Sequence, residues 1–159
     1  MAIKTEVLNV VRVVNKTFKT PLVAVPGVGT GAAYTAGDAL GTLFTFDVPR
    51  SGIIHTAVYL DMDDEGIETD LVLFTGPFDY TADNAAFTVS DEDMHEFLST
   101  ITFATFKNFA VNQVSTAAAI GLAYVAPQRK LWAQVVTRGA PNIAAGNIPL
   151  FSLTIISDE

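Results

Sequence analysis

Tyr34-Thr35-Ala36-Gly37-Asp38-Ala39-Leu40-Gly41 and Gly52-Ile53-Ile54-His55-Thr56-Ala57-Val58-Tyr59-Leu60-Asp61 are the two stretches that decide the fold class. The first is a glycine-containing turn, and the second is a run of β-branched and aromatic residues typical of a strand. Similar runs recur along the chain between glycine and proline turns. The candidate strands are 41–48, 53–61, 69–75, 98–106, 109–115, 120–125, 131–138 and 150–156. Short strands without long helices between them predict an all-β, antiparallel sandwich or barrel.

The first 31 residues are expected to be organised differently from the rest. Residues 3–14 are rich in valine, and their apolar residues fall on both faces of an extended strand. A strand buried on both sides, or an arm lying on a partner, would account for this pattern. Residues 21–31 contain two prolines and three glycines, which is typical of a linker. We therefore expect an extended N-terminal arm or strand with its linker over residues 1–31, and one β-sandwich domain over residues 32–159.

One short helix is predicted near residue 90. Ser90 can cap the run Asp91-Glu92-Asp93, and acidic residues are favourable at the positive end of a helix dipole. Phe97 and Leu98 would close the apolar side of this helix. The sequence predicts no other helix.

The composition indicates one compact body that associates with other subunits. Of the 159 residues, 50% are hydrophobic and only 16% are charged, which is apolar for a free monomer. A subunit interface accounts most simply for the surplus apolar surface. No run approaches the roughly 18 apolar residues that cross a membrane, and the first residues lack the apolar region of a signal peptide. We therefore expect a protein made in the cytoplasm, with no membrane partner.

The net charge of -8 is distributed unevenly along the chain. Every lysine and arginine lies outside residues 51–106, whereas twelve of the seventeen acidic residues lie inside. The middle of the chain therefore carries -12 and the remainder +4, nine basic minus five acidic residues. An anionic surface repels nucleic-acid phosphates, which predicts no nucleic-acid partner and an acidic side facing outward. Ordinary solubilising charge would give the same count.

The sequence offers no catalytic constellation. It contains no cysteine, which excludes disulfides, thiolate metal sites and a cysteine nucleophile together. His55 and His95 are the only histidines, and they lack the spacing of a zinc site. No serine lies in a Gly-x-Ser-x-Gly elbow. We therefore expect no catalytic residues, no cofactor and no enzymatic activity.

One acidic loop resembles part of a calcium site. Asp61-Met62-Asp63-Asp64-Glu65-Gly66 places acids at positions 1, 3 and 5 and a glycine at position 6 of an EF-hand-like loop. Position 12 is Val72, where such a loop requires glutamate, so a complete EF-hand is excluded. A solvated acidic turn is the simpler interpretation. If calcium binds at all, its candidate ligands are Asp61, Asp63 and Glu65.

Four stretches together resemble a family of small virion proteins of tailed phages. They are the two quoted above, Leu71-Val72-Leu73-Phe74, and Asp83-Asn84-Ala85-Ala86-Phe87-Thr88. In that family an aromatic-x-Ala-Gly-Asp turn precedes a strand that ends in acids, and an apolar strand, an Asp-Asn-Ala-Ala-Phe turn and a short acidic helix follow. The resemblance runs from about Ala33 to Ile156.

The resemblance implies a β-sandwich of jelly-roll type and a structural role in the virion. Members of this family decorate or cement the outside of the capsid, where they bind the major capsid protein and themselves, often as homotrimers. We therefore expect a capsid decoration protein on the outer surface of the virion. A head-fibre or tail-associated module that binds a receptor or glycan is the alternative.

Overall fold

The computed structural model describes residues 15–31, 33–157 and 159, and in these residues the chain is all-β with two antiparallel sheets. The first sheet has the order β1-β10-β4-β8-β7, with β2 also paired to β10, and the second has the order β3-β9-β5-β6. The strands are β1 Lys16–Lys19, β2 Val23–Ala24, β3 Ala39–Asp47, β4 Ser51–Asp61, β5 Thr69–Phe74, β6 Phe97–Phe103, β7 Phe106–Asn108, β8 Gln113–Val125, β9 Lys130–Thr137 and β10 Leu150–Ser157. The predicted all-β, antiparallel architecture is confirmed.

The two sheets bury one hydrophobic core between them. Leu71 and Leu73 of β5 lie in this core, where they meet Phe151 and Leu153 of β10 from the other sheet. Successive side chains of a strand point to opposite faces of its sheet. The alternation of core residues along β4, β5, β9 and β10 therefore identifies the face of each sheet that points inward.

A second apolar cluster covers the outer face of the four-stranded sheet. Val72 and Phe74 of β5 and Trp132 of β9 point away from the main core, and residues of the loop that follows β5 pack over them. The ring of Phe78 stacks on that of Phe74 with 3.9 Å between centroids. We call residues 76–92 the covering segment. It explains why β5 is buried along its whole length on both faces.

Gln134 fastens the covering segment to the sheet. Its side-chain oxygen accepts a hydrogen bond from the Thr81 N–H at 3.0 Å, and its amide nitrogen donates to the Thr81 carbonyl at 2.5 Å. The same amide nitrogen donates to the Gly41 carbonyl at 3.2 Å. This glutamine is fully buried, and these bonds satisfy the polar atoms that burial would otherwise leave unpaired.

Two parts of the predicted strand order are divided differently in the structure, and β1 and β2 were not among the predicted strands. The segments 109–115 and 120–125 belong largely to one strand, β8, which begins at Gln113. Ala119 and Gly121 have φ values of 55° and 69°, and the register against β4 shifts at this point. A bulge of this kind looks like a strand break in sequence because it interrupts the alternation of side chains.

The other part is the predicted strand 98–106. It divides into β6 in the four-stranded sheet and β7 in the six-stranded sheet, separated by residues 104–105. The chain therefore crosses from one sheet to the other inside a segment whose composition predicted a single strand. The amino-acid composition is similar before and after residues 104–105, so composition does not reveal that the chain passes to the other sheet.

The predicted short helix is not confirmed. A single 3-10 turn, Asp93–Glu96, occupies its place, and Phe97 leaves this turn in an extended conformation to begin β6. Ser90 Oγ accepts a hydrogen bond from the Asp93 N–H at 3.0 Å, but the N-cap residue of the turn is Glu92 and no side chain caps it. Within the described residues, no helix has the length and hydropathy needed to cross a membrane.

The N-terminal part that the structure describes lies on the six-stranded sheet. Residues 1–14 are outside the described residues, so the predicted strand or arm over 3–14 stays a prediction. In the expected linker, β2 pairs with β10, Val25 is buried, and the Pro26 carbonyl accepts the Thr42 N–H at 2.8 Å. Residues 21–31 therefore wrap an edge of the two sheets, and their prolines and glycines form the bends that this path requires.

Three buried tyrosines predict a loss of stability at alkaline pH. Burial raises the pKa of Tyr34 and Tyr59 well above the ordinary value of 10.0, and that of Tyr124 to about 12. A group whose pKa is higher in the folded state contributes stability that is complete below the unfolded pKa and lost as the pH rises toward the folded one. We expect the free energy of unfolding, measured by urea titration, to fall above about pH 10. A Tyr124→Phe variant should show a shallower fall, and a flat profile to about pH 12 in the unmodified chain would contradict this prediction.

Candidate functional site

The central part of the outer face of the six-stranded sheet carries almost no charge, and Lys19 of β1 and Lys107 of β7 flank it. Its three central strands, β10, β4 and β8, contain no lysine, arginine or glutamate. Their single aspartate, Asp61, is fully buried. A solvent-facing sheet normally alternates apolar residues with polar and charged ones, so this face departs from the pattern expected for a surface that meets only water.

Outward side chains form rows across these three strands. Ile54, Ala57 and Tyr59 of β4 lie in the core, so their neighbours Ile53 and Val58 point outward. Ile53 is 42% exposed. We call this surface the uncharged face. Its rows, read across β10, β4 and β8, are Ile156–Ile53–Ala123, Thr154–Thr56–Ala118, Ser152–Val58–Thr116 and Leu150–Leu60–Val114.

The opposite side of the molecule is acidic. Residues 76–96, which include the covering segment and the 3-10 turn, contain six acidic residues and no lysine or arginine. Asp79, Asp91 and Glu92 among them are exposed. The covering segment lies on the outside of the four-stranded sheet, and the main core separates this sheet from the six-stranded one. The uncharged face and the acidic residues of 76–96 therefore lie on opposite sides.

Asp83 joins the two turn blocks that the sequence singles out. Its carboxylate accepts hydrogen bonds from the Tyr34 hydroxyl at 2.8 Å, the Gly41 N–H at 2.6 Å and the Gly29 N–H at 3.0 Å. Burial, and next the hydrogen bond to Asp83, raise the pKa of Tyr34, which keeps this hydroxyl protonated as a donor. We call these contacts the Asp83 clasp. They hold the covering segment, the strand β3 and the 21–31 segment together.

Gly41 is required in this clasp. Its φ is +73°, and a Cβ atom there would lie 2.5 Å from the Pro26 carbonyl oxygen. Any larger residue would both adopt a strained backbone and collide with the chain beside it. The glycine that ends the block 34–41 therefore lets the 21–31 segment approach β3.

The acidic loop that follows β4 is not the solvated turn that we expected. Asp61 is buried, and its carboxylate accepts hydrogen bonds from the Gly66 N–H at 2.8 Å and the Gln113 amide at 3.2 Å. Asp63 accepts from the Ala144 N–H at 2.6 Å. These carboxylates close the loop and tie it to β8 and to the loop before β10. Charged residues do this because each one can accept several hydrogen bonds at once.

The candidate calcium ligands point to these protein donors. Glu65 accepts a hydrogen bond from the Asn142 N–H at 3.3 Å, as Asp61 and Asp63 do from their own partners. Among the described residues, no three His, Cys, Asp or Glu side chains converge on a point that a metal ion could occupy. The histidines are also apart. His55 lies at the bulge of the uncharged face, and His95 lies in the 3-10 turn on the acidic side.

Two features of this arrangement were missed at the level of sequence. The uncharged face had a readable signal, because residues 51–60, 113–125 and 150–157 contain no lysine, arginine, aspartate or glutamate. The Asp83 clasp had no such signal, since 49 residues separate Tyr34 from Asp83.

No family model matches the chain, and neither the curated proteins nor the solved structures that were compared contain a match.

Proposed function

We propose that this protein is a non-enzymatic structural component of a tailed-phage virion that decorates and cements the outside of the capsid. The observation that carries the proposal is the two-sided surface. An uncharged, partly apolar sheet face can be buried against other subunits without leaving a charge unpaired. The acidic side can face solvent, away from packaged nucleic acid.

The pairing of the strands supports the finer part of the proposal, a β-sandwich of jelly-roll type. Without the short β2 and β7, eight strands remain. The first of them pairs with the last, the second with the second-last, and so on to the middle pair. These pairs are β1 with β10, β3 with β9, β4 with β8, and β5 with β6. A long hairpin folded over in this way gives the two Greek keys of a jelly roll.

The proposed partners are the major capsid protein and further copies of this chain in a homotrimer. Closed symmetry buries an uncharged surface without open-ended growth. Such a subunit adds bonds between capsid proteins and needs no cofactor, no reactive group and no contact with DNA. The proposed location is the outer surface of the head, after synthesis in the host cytoplasm.

Sedimentation with capsids tests this function. Purified protein should co-sediment with heads of the encoding phage from which this protein has been removed, and it should raise the temperature at which these heads release DNA. Binding should persist in nuclease-treated, empty heads, because the proposed contact is with capsid protein. Protein that stays in the supernatant but binds tails or host glycans would favour the receptor-binding module instead.

A further inference from the structure

The edges of the two sheets are protected unequally. In the described residues, the edge strand β1 carries two lysines, Lys16 and Lys19, and the edge strand β3 is bordered by the 21–31 segment and the Asp83 clasp. Lysines and covering loops are the usual means of preventing edge-to-edge pairing. The other end of the six-stranded sheet is formed by the short β7, which carries Lys107, and by the part of β8 beyond it; β8 and the edge strand β6 contain no charged residue.

Among the described residues, most of β8 has no strand on one of its two edges, which we call the free edge. β7 pairs only with the first residues of β8, from Gln113 to Ser115. Beyond them, residues 116–125 pair with β4 on one side, and the structure describes no strand on the other. A long edge of this kind, without lysine or proline, is a template for an added strand. The bulge at Ala119 and Gly121 divides it into two pairing runs, 116–118 and 122–125.

Apolar side chains lie along this edge. Ile120 and Leu122 of β8 and Leu98 of β6 pack against the main core but remain only partly buried. Val125, at the end of β8, is 61% exposed, and Phe97 at the start of β6 is exposed too. An apolar strand placed beside β8 would cover these side chains while it satisfies the free backbone groups.

We propose that the free edge of β8 pairs with an extended strand formed by residues 3–14 of a second copy of this chain. The inference rests on the self-association in the proposed function and specifies how it occurs. Residues 3–14 have apolar residues on both strand faces. Beside β8, one face would meet Leu98, Ile120 and Leu122, and the other would extend the uncharged face. Twelve residues of strand span about 40 Å, enough to follow the whole free edge.

The geometry of the sheet favours exchange between copies. Asn15, the first described residue, precedes β1, and β1 and β8 are separated by β10 and β4. Asn15 therefore lies at one side of the sheet, and the free edge lies toward the other. In this exchange, the segment before β1 of each copy pairs with β8 of the next copy. Such a head-to-tail contact closes into a ring such as a trimer.

Hydrogen–deuterium exchange on the isolated protein tests this proposal without capsids. In the full chain, the amides of 116–118 and 122–125 that face away from β4 should be protected. Val11→Asp places a charge on an apolar position of the segment and should speed their exchange about tenfold or more. Ala2→Asp adds the same charge outside residues 3–14 and should leave exchange unchanged. Equal exchange in the full chain and the Val11→Asp variant would overturn the proposal.

A synthetic peptide of residues 1–14 distinguishes the source of the strand. Added to a chain that lacks these residues, it should restore protection to the free edge of β8. No restored protection would overturn the proposed pairing. Protection that is unchanged when the full chain is diluted to a monomer would mean that the segment binds its own copy, which would overturn the exchange. If the edge is unprotected and Val11→Asp abolishes only capsid binding, the segment contacts the capsid. That result would overturn this inference and leave the proposed function intact.

Discussion

Replacing Asp83 with alanine is expected to lower the free energy of unfolding by about 3 kcal/mol. The substitution leaves the Tyr34 hydroxyl and the N–H groups of Gly29 and Gly41 without the carboxylate that accepts their hydrogen bonds. It also removes the side-chain link between the covering segment and β3, whereas the backbone hydrogen bonds of Ala39 with Asn84 and Ala85 remain. Urea unfolding followed by the fluorescence of Trp132, the single tryptophan, measures the change at a site beneath this segment.

Asp79→Ala is the matched control for this experiment. Asp79 lies in the same segment and is exposed, so its removal should change stability by less than about 0.5 kcal/mol. Asp83→Asn should fall between the two, because the amide keeps one of the two acceptor oxygens. If Asp83→Ala unfolds at the same urea concentration as Asp79→Ala, the clasp does not stabilise the fold.

Placing charge on the uncharged face is expected to abolish assembly. Ile53 and Val58 point outward from two rows of the uncharged face that have the Thr56 row between them, so lysines there can reach solvent in the monomer. In an assembly that buries the face, each lysine would be an unpaired buried charge, which costs several kcal/mol. The Ile53→Lys, Val58→Lys double variant should therefore associate at least about 100-fold more weakly, as measured by sedimentation velocity.

The control for this variant adds the same charge elsewhere. Gln128 and Ala145 are exposed positions outside the uncharged face, so Gln128→Lys with Ala145→Lys should assemble like the unmodified chain. Circular dichroism should show an unchanged strand content in both double variants. Normal assembly of the Ile53→Lys, Val58→Lys variant would contradict the role of this face.

The sequence predicted the positions of the strands better than their continuity and the sheet to which each belongs. β4, β5 and β10 lie within a few residues of their predicted ranges, because β-branched and aromatic runs bounded by turns are local signals. The prediction failed at the bulge in β8, where left-handed Ala119 breaks the alternation within a continuous strand. It also failed at the crossing from β6 to β7, which only tertiary structure determines.

The surface could be predicted only in part. Three charge-free runs are visible in the sequence, but their adjacency depends on β10 lying beside β4, a pairing between residues nearly one hundred positions apart. The acidic loop was misjudged for the opposite reason. Asp61 looks like one member of a solvated acidic cluster, and its burial follows from donors such as Gln113, which lies 52 residues away.

Cryo-electron microscopy of intact particles of the encoding phage tests the central claim most directly. The account predicts copies of the two-sheet body on the outer surface of the head, with the uncharged face buried against neighbouring subunits and residues 76–96 facing solvent. Copies found only on the tail or fibres, or a head-bound body with the uncharged face in solvent and residues 76–96 against the capsid, would contradict it.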